Sequence, residues 1–135
     1  NQNTYDCLRH YERLSNIAYN SLKDVPYIIV NRSNGAFYMS VVFNEASLND
    51  RQTLPIAQPE IRRYVESLTS ERIEFDKRFV YYLLGATGIC VVPLTSFFTS
   101  VPGFRMTLLD RDADKFEYVM KTLAEKTVEY IESAH

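Results

Sequence analysis

The chain has 135 residues, of which 46% are hydrophobic and 24% charged, with a formal net charge of −2. That length fits one domain, and a domain of this size buries roughly 68% of its unfolded surface, enough for a real core. The near-balanced charge excludes the basic footprint of a nucleic-acid or anionic-membrane binder, and no apolar run reaches the ~18 residues of a membrane-spanning helix.

The opening, NQNTYDCLRH, has neither an initiator Met nor a signal-peptide apolar core, so the chain reads as an excised or processed piece. Cys7 and Cys90 have no CxxC neighbour. Metal and disulfide frameworks are therefore not indicated, and a reducing, cytoplasmic setting is expected. Cys90 lies within an apolar run and reads as a buried free thiol.

Thr4 to Leu22 reads as an amphipathic helix, because Tyr5, Leu8, Tyr11, Leu14, Ile17, Ala18 and Leu22 recur at helical spacing. Thr4 or Asn3 is its candidate cap. Asp24-Val25-Pro26 stops it, since the residue before proline avoids the helical region. Tyr27 to Val30 is a short strand candidate. Asn31 to Gly35 is turn chemistry. Ala36 to Phe43 is a clearer strand, with Phe37, Met39, Val41 and Phe43 on one side and Ala36, Tyr38, Ser40 and Val42 on the other.

Asn44 to Phe75 is the most polar stretch and reads as a surface insertion, residues 44–75, holding a short helix over Pro59 to Leu68. Asp76 to Ala86 is a further helix, with Asp76 as candidate cap and Gly88 placed for a left-handed C-cap. Ile89 to Val92 and Gly103 to Leu109 are apolar strands. Asp114, followed three residues later by Glu117, resembles a capping box. It opens a last helix to about Ala134 that buries Phe116, Val119, Met120, Leu123, Thr127, Tyr130 and Ile131.

This order predicts an α+β fold: a two-layer sandwich with a small, mostly antiparallel sheet and helices packed on one face. Arg105 and Thr107 then project from the other face. A sheet face left partly bare suits a domain built to dock on something else.

Arg105 is the residue with the most chemical information. It sits between Phe104 and Met106, where a fixed cation is costly unless an anion awaits it. Its planar fork matches a carboxylate. The other constellations are weaker. Glu71, Glu74 and Asp76 among Arg72, Lys77 and Arg78 read as a solvated mixed-charge run. His10 reads as a surface imidazole. Thr95-Ser96 and Thr99-Ser100 have no nearby histidine and read as loop. Phe97 and Phe98 cannot both enter one core, so one is expected to be exposed or to pack at a site mouth. No HExxH, Walker loop, GxGxxG or GxSxG occurs.

In chain order, NSLK (Asn20 to Lys23), YIIV, SNGAFY (Ser33 to Tyr38), LLGATGICVVP (Leu83 to Pro93) and GFRMTLL (Gly103 to Leu109) precede the terminal helix. This series resembles the C-terminal end of fold-type-I pyridoxal-phosphate aminotransferases, most of all the alanine-aminotransferase-like branch. The resemblance covers most of the chain outside about residues 45–74. It implies that residues 1–135 form the small C-terminal domain of an enzyme that moves an amino group between an amino acid and a 2-oxo acid. Arg105 matches the arginine that grips the substrate carboxylate.

In that family pyridoxal 5'-phosphate is held by a large preceding domain, and the intact enzyme is a homodimer. None of Lys23, Lys77, Lys115, Lys121 and Lys126 stands in the family's serine-lysine context. The resemblance therefore implies no catalytic, cofactor-binding or metal-binding residue in this chain, which alone would be catalytically silent. The loop Leu94 to Pro102 is shorter than the glycine-rich loop of many relatives. The rival expectation is a stand-alone, non-catalytic α+β module that binds a carboxylate or a protein through Arg105 and the bare sheet face. An independent hydrolase is not supported, because no nucleophile–base pair can be assembled from these residues.

Overall fold

A computed structural model describes residues 2–32, 38–97, 99–108, 110 and 112–134. The first helix, α1 (Gln2–Leu22), buries Leu14, Ala18 and Leu22, a four-residue recurrence that lays one stripe against the core. Its earlier apolar positions do not follow, as Tyr5 and Leu8 are 55% and 58% exposed. After Pro26, Tyr27 turns the chain with a φ of 76°, a left-handed conformation rare for a bulky residue. The Tyr27 carbonyl accepts the Asn44 amide at 2.8 Å, and the Tyr27 hydroxyl donates to Glu132 at 3.1 Å.

Four strands form one antiparallel sheet: β1 (Ile28–Arg32), β2 (Tyr38–Phe43), β3 (Val92–Pro93) and β4 (Gly103–Thr107), in the order β1-β2-β4-β3. The first two are neighbours in the sheet, paired from Ile28 with Phe43 to Arg32 with Met39. Residues 33–37, including the Asn-Gly turn signal and Phe37, lie outside the described residues. The strand expected from Ile89 is shorter than foreseen, with only Val92 and Pro93 pairing. Val91 is buried while Cys90 is exposed, which corrects the buried-thiol expectation. Alternation sends neighbouring side chains to opposite sides even in a wholly apolar run.

The helices α2 (Pro59–Thr69), α3 (Phe75–Thr87) and α4 (Ala113–Glu132) complete the fold, so the α+β architecture with helices on one side of the sheet is observed. Gly88 ends α3 at φ 79°, its amide donating to the Leu84 carbonyl at 2.9 Å. Two cap assignments are corrected. Glu74, with no side-chain cap bond, stands at the α3 N-cap, and Asp76 lies inside the helix. The α4 cap is Asp112, whose carboxylate accepts the Asp114 and Lys115 amides. Val119 of α4 is only half-buried.

Sheet and helices meet in an aromatic core. Phe43 of β2, Phe104 of β4 and Phe79 of α3 lie within 5.7 Å of one another, and Tyr130 of α4 meets Phe79 edge-on at 5.1 Å. Such pairs add about 0.5–1.5 kcal/mol each beyond the area they bury. Tyr130 is fully buried and its hydroxyl finds no hydrogen-bond partner. Burial holds this phenol well above the usual tyrosine range, with the Arg78 guanidinium opposing.

Residues 44–75, expected as a surface insertion, contribute to that core through Leu48, Leu54, Ile56 and Val65. A methyl group on Gly85 of α3 would lie 2.8 Å from Ile56 and 2.9 Å from Val65. Gln52 fastens the stretch. Its buried amide donates to the Ser47 and Ile131 carbonyls at 2.6 and 3.0 Å and accepts the Asn49 amide at 2.9 Å.

Candidate functional site

Gly103 opens β4 because only glycine fits there: a Cβ would strike the Val41 carbonyl oxygen and come within 2.7 Å of Leu94. From that start the strand alternates. Phe104 and Met106 enter the core, while Arg105 is half-buried and Thr107 exposed on the opposite face. The register sets Arg105 between Ser40 of β2 and Val92 of β3. Tyr38 pairs with Thr107 one step along the same face.

The Arg105 guanidinium carbon lies 4.0 Å from the Phe97 ring centroid and 4.9 Å from that of Tyr38. Among the described residues, no carboxylate pairs with it and no acceptor takes its N–H groups. Cation–π contact engages the flat of an aromatic ring and leaves the donor fork unused. Arg105 is thus a half-buried cation stacked on two rings, and among the described residues its donor fork is unused, an arrangement that can accept a carboxylate.

Phe97 ends a 3-10 turn, Leu94–Phe97, in the loop before β4. Asp76 ties down both ends of that loop. Its fully buried carboxylate accepts the Thr95 hydroxyl at 2.6 Å, the Thr95 amide at 3.0 Å and the Gly103 amide at 3.2 Å. Asp76 and Arg78 are therefore not part of a solvated run, as the sequence suggested. Arg78 is 9% exposed and donates to the Gln52 and Thr69 carbonyls at 2.9 and 3.3 Å. Both buried charges are satisfied by polar partners, as burial of an ion demands. No acid–base pair forms from Glu71, Glu74 and Asp76, since Asp76 is turned inward while Glu71 and Glu74 are exposed.

His10 is half-buried, with its Nε2 2.6 Å from the Asp110 carbonyl oxygen, and so is not a free surface imidazole. Phe98 and His135 lie outside the described residues. Every lysine sits in the helix layer or at its edge: Lys23 just past α1, Lys77 in α3, and Lys115, Lys121 and Lys126 in α4. Lys121 faces Glu117 at 3.9 Å and Lys126 bonds Glu129 at 2.9 Å. None of these lysines lies on β4 or on the strands that pair with it. No group of three or more metal-ligating side chains occurs among the described residues, and none of the described helices is long and apolar enough to cross a membrane.

Comparison with known proteins bears on what such a site belongs to. No family model matches the chain. A protein of Methanocaldococcus jannaschii named an uncharacterized aminotransferase is 49% identical over 125 residues, which is 93% of this chain and 29% of that protein. The chain is therefore homologous, over nearly all of its length, to part of a protein named an aminotransferase. It spans less than a third of that relative.

Proposed function

We propose that residues 1–135 are the C-terminal small domain of a pyridoxal-phosphate-dependent aminotransferase of fold type I, in the alanine-aminotransferase-like branch. In this reading Arg105 binds the carboxylate shared by the amino acid and the 2-oxo acid. The observation that carries it is a guanidinium held against two rings, with no anion paired to it among the described residues. The kinship with a named aminotransferase supports the reaction class.

Pyridoxal phosphate supplies the electron-withdrawing ring that such an amino transfer needs. It belongs, on this account, to a large domain outside these residues, and the full protein is a cytoplasmic homodimer. The part played by this chain is to bind and orient the carboxylate and to exclude water from the pair, which strengthens it. By itself the chain is catalytically silent.

The complete protein, produced from its source coding sequence, provides the test. It is expected to show the cofactor's visible absorbance and to transfer an amino group from an amino acid to a 2-oxo acid. A complete protein with neither property would refute the enzyme reading in favour of a non-catalytic carboxylate- or protein-binding module.

A further inference from the structure

Among the described residues, the cation at this site is held by rings and not by an acid. An acid paired to Arg105 would compete with an incoming carboxylate, whereas an aromatic ring restrains the side chain and leaves every N–H available. An arginine standing alone on an open strand face samples many rotamers, and its ligand must immobilise it. The two rings remove much of that freedom before the ligand arrives. Phe97 is 45% exposed, and its ring lies over the Arg105 guanidinium.

We propose that Phe97 and Tyr38 are positioning residues that pre-orient Arg105 for a carboxylate, and that buried Asp76 sets their geometry by anchoring the loop that carries Phe97. The proposal rests on the reading of Arg105 as a carboxylate ligand. One carboxylate, Asp76, binds Thr95, two residues before Phe97, and Gly103, two residues before Arg105. Ring and cation are thereby referred to a single fixed point in α3. A shift of the loop would move Phe97 relative to Arg105, and the anchor prevents it.

The test uses the complete protein and propionate, a carboxylate with no amino or keto group to react, with affinity read by titration. Phe97→Leu keeps apolar bulk and removes the ring face. It is expected to weaken propionate binding about tenfold, with Phe97→Tyr restoring affinity to within about twofold. Thr95→Val removes the hydroxyl bond to Asp76 without changing side-chain shape, and is expected to weaken binding about threefold. Its effect should largely disappear in the Phe97→Leu background, since both act through one ring.

Arg105→Ala separates the two levels of the argument. If it abolishes binding while Phe97→Leu binds as wild type does, the clamp is overturned and the carboxylate reading stands. If Arg105→Ala binds propionate undiminished, both fall. A Thr95→Val effect that adds in full to that of Phe97→Leu would overturn the role given to Asp76.

Discussion

The Asp76 carboxylate and the Gly103 amide, 3.2 Å apart, join the first turn of α3 to the start of the strand that carries Arg105. This is a stability relationship as well as a positional one. Asp76→Ala leaves the Thr95 hydroxyl, the Thr95 amide and the Gly103 amide without their acceptor. An unsatisfied buried donor costs about 1–3 kcal/mol, so a loss on the order of 3 kcal/mol is expected in urea denaturation. A loss below about 1 kcal/mol would mean that the buried carboxylate is not structurally required.

The glycines separate two kinds of constraint. Gly88 has open space around its Cβ direction but a φ of +79°, so Gly88→Ala should cost only the left-handed penalty of about 1–2 kcal/mol. Gly103→Ala meets the Val41 backbone, which cannot swing aside as a side chain can. It should cost more than about 3 kcal/mol and should lower carboxylate affinity, because β2 and β4 must part. Thermal melts of the two variants give the comparison, and equal costs would contradict it.

Stability at high pH should depend on Tyr130. Its folded-state pKa is raised above the ordinary 10.0 by burial. Above pH 10 the unfolded chain loses this proton while the folded chain keeps it, so the stability it contributes is present below pH 10 and drains away as pH rises further. Tyr130→Phe removes a buried hydroxyl that makes no hydrogen bond of good geometry, although the Arg78 guanidinium lies near enough to favour its ionised form. The variant should be as stable as wild type at pH 7, or more so by up to about 1 kcal/mol, and should lose less stability above pH 10. Denaturant midpoints at pH 7 and pH 10.5 measure the difference. A variant that loses stability in parallel with wild type would show that Tyr130 titrates as an ordinary tyrosine.

Ile56 tests the buried role of residues 44–75. It touches the Gly85 backbone site, so Ile56→Ala should destabilise by about 2–4 kcal/mol. Adding Gly85→Ala should not fully recover that loss, because its methyl would still lie 2.9 Å from Val65. A cost near zero for Ile56→Ala would place this stretch outside the cooperative core.

Several of these features could be read directly from the sequence, and others could not. Alternation in GFRMT put Arg105 on the face opposite Phe104 and Met106, and Gly88 announced its C-cap. Both signals are local, set by period two and by a left-handed turn. Asp76 resembled a helix cap because an acid in a first turn usually is one. Its true partners, Thr95 and Gly103, lie 19 and 27 residues away, beyond any local pattern. The burial of Leu54 and Ile56 was hidden for a related reason, since both lie in irregular backbone with no period to reveal a buried side. The Phe97–Arg105 contact was half legible. The adjacent phenylalanines implied that one is exposed, but nothing in the sequence said what it covers. At α1 the periodicity over-promised, because Tyr5 and Leu8 continue the stripe beyond the partner that would bury it.

The central claim is that Arg105 is the carboxylate ligand of an amino-transfer reaction. The most direct test is kcat/KM for amino transfer by the complete protein, wild type against Arg105→Ala and Arg105→Lys. Loss of two charge-assisted hydrogen bonds predicts a fall on the order of a hundredfold for Arg105→Ala, with Arg105→Lys recovering only part of it because a point charge cannot make the bidentate pair. An Arg105→Ala enzyme that keeps kcat/KM within about twofold of wild type would contradict the account.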